Sequence, residues 1–206
     1  VITMGWWGFS DDDRQVVARV GHRTITMDEY ERAYRNYERA YRDALKEQFT
    51  PEFAKQLDLK HVVVNALVER QLWLDTAHSL GLTVTPGELA KSIAAISAFH
   101  NERTGQFDAD AYRRVLAANR LSPEAFESAQ REDLLITKVK ALVSESTALS
   151  ESEWDEARTR QAAQNPGPTS DTMLASPLPQ KQERALRAYM TQVRRHADVE
   201  IHDNML

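Results

Sequence analysis

Apolar residues recur at helical spacing through most of this chain and at strand spacing only near its two ends. Val16-Val17-Ala18-Arg19-Val20 is short and rich in β-branched residues, and Gly21-His22 follows as a turn before Thr24-Ile25-Thr26. That pattern predicts a strand and a tight turn. Thr26 and Glu29 then have the Thr-x-x-Glu spacing of a capping box, in which hydroxyl and carboxylate satisfy otherwise unpaired N–H groups. A helix is expected from Met27 to about Glu47. Its Tyr30, Ala33, Tyr34, Tyr37 and Tyr41 fall three and four apart, so they share one aromatic face.

Thr50-Pro51 is a second start signal, with proline at a position where its missing N–H costs nothing. From Phe53 through Leu57, Val63, Val64, Leu67, Val68, Leu72, Leu74, Ala77 and Leu80 the apolar residues cover a wide arc, and Gly81 supplies the stop. This reads as one long, central helix. Thr85-Pro86-Gly87-Glu88 opens another, running through Leu89, Ile93, Ile96 and Phe99. Gly105 interrupts, Asp108 caps a short helix carrying Tyr112, Val115 and Leu116, and Asn119 closes it in the left-handed conformation. Ser122-Pro123 starts the next, with Phe126, Ala129, Leu134, Leu135, Val139 and Leu142 inward. Ser150 and Glu153 form a capping box for a helix through Trp154 and Ala157, which runs into the break from Asn165 to Pro179. Beyond the break, Leu186, Tyr189, Met190 and Val193 sit at helical spacing, and Ala197 to His202 alternates like a strand. No internal repeat at a fixed period is read along the chain, which argues against a solenoid.

Strands at the two ends of a helical chain need partners for their backbone groups, and the simplest partner for each is the other. Residues 16–20 are therefore expected beside residues 198–202. The fold class is mainly α, a multi-helix domain with a small two-stranded pairing of N- and C-terminal strands. Residues 16–206 then form a single domain, and residues 165–180 are a loop inside it.

Composition removes function classes rather than adding them. The net charge of −5 disfavours general binding to nucleic acid, which needs an excess of Lys and Arg. The absence of cysteine excludes disulfides, thiolate metal sites and cysteine nucleophiles. No two of the six histidines have the spacing of a helical metal pair. The cluster His196, Asp198, His202, Asp203 alternates faces of a strand, so no metal or other cofactor is expected. There is no phosphate loop, nucleophile elbow or dinucleotide fingerprint, so the chain is not read as an enzyme. The first residues, Val1 to Phe9, are apolar with a Trp6-Trp7 pair, then acidic at Asp11-Asp12-Asp13. They are too few to span a bilayer, which takes about 20 residues. Two readings of residues 1–15 stay open: the end of a membrane anchor, or a plain terminal tail.

One family has the same ordered series of residues. Val17-Ala18-Arg19-Val20-Gly21 leads to Ile25-Thr26 and Glu29-Tyr30; Leu67-Val68 is followed by Leu72, Ala77, Leu80-Gly81-Leu82 and Val84; Gly105-Gln106-Phe107-Asp108 is followed by Tyr112, Leu116, Phe126 and Leu134-Leu135. With this series, which spans residues 16 to about 145, the chain resembles the chaperone domain of the SurA/PpiD-like periplasmic chaperones. The Gly-x-Phe-Asp-x-x-x-Tyr segment is the most specific part, and Tyr189 to Ile201 is similar to the family's C-terminal helix and strand. In that family a parvulin-type prolyl isomerase domain is normally inserted before the last helix. Here residues 165–180 hold one glycine, Gly167, and no histidine, so no isomerase site can be built from them.

The resemblance implies an ATP-independent holdase that binds unfolded or nascent envelope proteins in the periplasm, tethered to the inner membrane of a Gram-negative bacterium through its N-terminus. It would do so without isomerase activity. The binding residues expected are Tyr30, Tyr34, Tyr37, Tyr41, Trp73, Phe99, Phe107 and Tyr112, because aromatic side chains give apolar area to clients of varied sequence. Core packing is the competing reading for the same rings. The alternative function is a structural or assembly module, whose apolar face is filled by a second copy in a homodimer or by a fixed partner subunit.

Overall fold

The computed structural model describes residues 16–101, 103–147 and 178–206. The N-terminal tail of residues 1–15, the helix expected after Ser150 and most of the 165–180 loop lie outside the described residues. Among the described residues there are seven α-helices and a three-stranded antiparallel sheet. The chain is mainly α, as its hydrophobic spacing predicts.

The sheet joins the two ends of the chain. β1 (Val16–Val20) lies between β2 (Arg23–Thr26) and β3 (Val199–Ile201). Ala18 pairs with Ile201, Arg19 with Glu200 and Val20 with Val199, which is the expected pairing of the termini. The sheet is one strand larger than expected, because the turn at Gly21-His22 is tight enough to fold Arg23–Thr26 back onto β1. Gly21 has φ +55 there, and its N–H donates to Asp198 O at 2.8 Å. His202 extends the pairing with its backbone N–H on Val17 O and its ring Nδ1 on Val16 O. With both edges of β1 occupied, Val17 and Ala18 are completely buried.

α1 (Met27–Leu45) starts at the expected capping box: Thr26 Oγ1 accepts from Glu29 N at 3.3 Å and Glu29 Oε2 accepts from Thr26 N at 2.9 Å. The long helix expected after Thr50 is broken in two. α2 (Pro51–Gln56) stops before Asp58, whose φ of +52 no helix allows, and α3 (Leu59–Ser79) begins anew. Aspartate is one of the few residues that tolerates this conformation. α3 keeps the central character read from its sequence, with Leu59, Val63, Val64, Val68, Leu72, Trp73, Leu74 and Ala77 all buried. Each such aliphatic side chain contributes about 1.5–3 kcal/mol of transfer free energy. Gly81 ends it at φ +67: Leu82 N donates to Ala77 O and Gly81 N to His78 O, the paired bonds of a Schellman motif.

α4 (Pro86–Ala94) opens on the Thr85/Glu88 capping box but stops five residues short of Phe99, which sits in a separate turn of 3₁₀ helix, Ser97–Phe99. α5 (Ala109–Ala118) is closed by Arg120 at φ +54, not by Asn119. Asn119 instead donates its side-chain amide to Val115 O at 2.8 Å. α6 (Pro123–Glu145) starts where Ser122 caps Ala125 N. α7 (Leu178–His196) begins inside the segment read as a break, since Pro179 stands in the first turn, where no intrahelical N–H is required.

The chain groups into two compact units. One comprises Val1–Leu72 with Met190–Leu206, the other Trp73–Tyr189. The first holds the sheet, and Arg194 of α7 donates to Asn65 Oδ1 of α3 at 2.6 Å. It also holds a histidine bridge: His61 Nδ1 lies 2.9 Å from Asp58 Oδ1, and Nε2 lies 3.3 Å from Asp203 Oδ1. The hydrogen bond to Asp58, then that to Asp203, raises the His61 pKa above its ordinary value of 6.5. A raised folded-state pKa stabilises the bridge fully below pH 6.5, and that contribution is lost as pH climbs through the raised value. The Asp203→Asn variant is expected to bring the His61 pKa down toward 6.5 in an NMR titration; an unchanged titration would mean that Asp203 does not engage the ring.

Candidate functional site

The second unit contains a groove of about 660 Å³ lined by Val84, Pro86, Leu89, Ala90, Ile93, Ala94, Phe107, Tyr112, Glu127 and Arg131. Its lining comes from α4, α5, α6 and the segment carrying Phe107, and one buried ring packs behind it. Phe99, 3% exposed, meets Tyr112 edge-on at 5.1 Å and Phe126 edge-on at 5.5 Å, while Tyr112 and Phe126 are 5.9 Å apart. Edge-to-face contacts at these separations are favourable for aromatic quadrupoles. Leu89, Ile93 and Leu116 complete the cluster beneath.

A tight loop carries Phe107 to the rim. Asn101 organises it, with its side-chain oxygen accepting from Arg103 N and Thr104 N and its own N–H donating to Gln106 O. Gly105 turns the chain at φ +66, a conformation open to glycine, and His100 then bridges to Phe107. Asp108 N donates to Phe99 O at 2.8 Å, which ties the backbone beside Phe107 to that of the buried Phe99. Asp108 Oδ1 also caps α5, accepting from Asp110 N at 2.7 Å and Ala111 N at 3.1 Å. Those backbone bonds, Ala111 first, lower its pKa below the ordinary carboxylate range. Phe107 is left 43% exposed, 6.0 Å from the Tyr112 ring. Burial raises the pKa of the Tyr112 phenol, and the charges of Glu127 and Glu124 act in the same direction.

The expected site residues divide by burial. Phe99 and Trp73 belong to the core of the second unit, Trp73 being 2% exposed and stacked 5.8 Å from Tyr189, with Lys140 5.3 Å from its ring centroid. Tyr30 is buried in the first unit, 6.0 Å from Tyr34. These three rings present no surface to a client, because tertiary contacts cover the parts of the aromatic pattern nearest the sheet and the helix cores. Phe107 and Tyr112 do line the groove. Tyr34 borders a separate hollow in the first unit with Phe49, Pro51 and Ala54, and Tyr41 is stacked on Phe49 at 5.9 Å. Tyr37 is 36% exposed. Phe126, Phe49 and the aliphatic wall of Val84, Leu89 and Ile93 were not among the expected site residues. Their signal was present as the i, i+4 spacing of Leu89 and Ile93, which gives a helix a second apolar face only when a neighbour leaves it uncovered.

Polar contacts fix the groove walls. Lys138 of α6 reaches Glu88 of α4 at 2.6 Å and Thr83 O at 2.7 Å. The Lys138 hydrogen bond, followed by the bonds from Thr85, lowers the Glu88 pKa to about 2. Among the described residues no group of three His, Cys, Asp or Glu side chains is placed to hold a metal ion, and no helix is long and apolar enough to cross a membrane. Of the cluster near the C-terminus, His196 is bonded to Gln192 O on its own helix and His202 to the sheet.

A family model described as SurA-like N-terminal domain matches residues 1–140. The match takes in the whole of the groove, from Val84 to Arg131. No curated protein matches the chain.

A depressed carboxylate pKa stabilises the fold above the unfolded value of 4.5, and the contribution fades as pH falls toward about 2. Glu88→Gln is therefore expected to lower the denaturation midpoint at pH 7, with its difference from the parent shrinking between pH 4.5 and 2. A deficit independent of pH would contradict the ionic tie between α4 and α6.

Proposed function

Because the chain belongs to the family of SurA-like N-terminal domains, we propose that it is an ATP-independent holdase for unfolded or nascent proteins of the bacterial envelope. The observation that carries this reading is the groove beside Phe107. It is open, mostly apolar, and preformed by the Phe99 cluster, so an extended apolar segment can enter without reorganising the fold. Apolar pockets with few polar groups bind by area rather than by sequence, which suits clients that share only exposed hydrophobic side chains. Other exposed apolar residues of the second unit, Leu80, Leu121 and Leu142, add weak contacts of the same kind.

On this reading the chain acts in the periplasm, without catalysis and without a cofactor. Residues 1–15 would tether it to the inner membrane as the end of an anchor. Binding is weak and plural by design, since release must leave the client free to fold.

Phe107→Ala is expected to leave the circular dichroism spectrum unchanged and to lower the denaturation midpoint only slightly, because the ring is already partly exposed, and to weaken suppression of aggregation of a denatured test protein several-fold. Full suppression by a folded Phe107→Ala chain would sink the proposal.

A further inference from the structure

α1 contains a short repeat, which corrects the expectation of a chain without one. Tyr30-Glu31-Arg32-Ala33-Tyr34-Arg35-Asn36 is followed at once by Tyr37-Glu38-Arg39-Ala40-Tyr41-Arg42-Asp43. A seven-residue period in a helix lays equivalent residues along nearly straight stripes, which is the pattern of a helix that pairs with another helix.

The stripes have different fates. Tyr34 and Tyr41 face Phe49, and the Glu31–Arg35 and Glu38–Arg42 pairs on the adjoining side close at 3.2 and 2.8 Å. That flank is satisfied within the chain. The seam of Ala33, Tyr37, Ala40 and Ala44 is not: Ala33 is half-buried and the other three are exposed. These four residues have the 4-3-4 spacing of alternating d and a positions. Bordering the seam on its open flank are Arg32, Arg39, Asn36 and Asp43, and among the described residues Arg32, Arg39 and Asp43 have no ion-pair partner.

We propose that this seam is a homodimer interface in which α1 packs antiparallel against α1 of a second copy. An antiparallel pair sets the open flank of one helix against the open flank of the other. A parallel pair would set it against the flank already packed on Phe49. In the antiparallel register Tyr37 of each copy fills the gap above Ala40 of the other, and Ala33 faces Ala44. Large thus meets small in the central layers. Arg32 comes within reach of Asp43 of the second copy, twice by symmetry. Opposite charges on one flank of one helix are what a two-fold axis requires, since each copy must supply both halves of the contact. A seam of two heptads is small by the standard of stable interfaces, so the dimer is weak and concentration-dependent. This proposal is independent of the groove and of client binding.

Sedimentation equilibrium tests it. Over rising concentration the mass is expected to move from 23.5 kDa toward twice that value. Ala40→Glu abolishes the rise without changing the helix signal. Arg32→Asp and Asp43→Arg each weaken association about tenfold, and the double variant restores it. Because the chain has no cysteine of its own, orientation can be read by oxidation. Ala33→Cys chains are expected to crosslink with Ala44→Cys chains and not with themselves. A mass that stays at the monomer value, a dimer indifferent to Ala40→Glu, charge reversals that are not mutually corrective, or Ala33→Cys crosslinking with itself would each overturn the proposal.

Discussion

The Phe99 ring, held edge-on between Tyr112 and Phe126, is the contact on which the second unit depends. Its backbone carbonyl accepts the N–H of Asp108, so the residue that anchors the core also places the cap of α5 and the neighbouring Phe107. One buried residue thereby backs the lining of the groove and helps to place its rim. On the holdase reading, a groove that is already formed avoids the ordering cost a client would otherwise meet on binding.

The first unit rests on a different constraint. A central strand with both edges paired leaves no unpartnered backbone, and β1 achieves this by taking one neighbour from the next few residues and the other from the far end of the chain. The pairing with β3 is a long-range contact that local sequence does not specify, yet it was legible, because a lone β-branched run at each end of a helical chain has few other solutions. The SurA-like match covers β1, β2 and α1 to α5 with most of α6, and the strand that closes the sheet lies beyond it.

Helix starts were the most legible feature. Thr26, Thr50, Thr85, Asp108 and Ser122 each cap a helix in the structure, because capping is decided within four residues. Interruptions were less so. Asp58 and Arg120 adopt positive φ although neither is glycine, and Phe99 leaves α4 for a separate turn, where it joins the buried aromatic cluster. The site was legible in part. Periodicity shows that Tyr30, Tyr37, Phe99 and Phe107 are available for burial, but only the tertiary structure shows that Tyr30 and Phe99 are covered while Tyr37 and Phe107 are not. The heptad in α1 is not legible as a repeat, because two units are too short a run to stand out from ordinary helical spacing.

A holdase that works through this groove must hold unfolded chains in it. A photo-crosslinking amino acid at position 107, with one at Arg113 on the outer side of α5 as the control, reports this directly. Incubated with a denatured client and then irradiated, the chain labelled at 107 is expected to form a covalent adduct, the chain labelled at 113 far less, and neither with the client in its folded state. Equal labelling from both positions, or an adduct with the folded client, would contradict a client site at the groove.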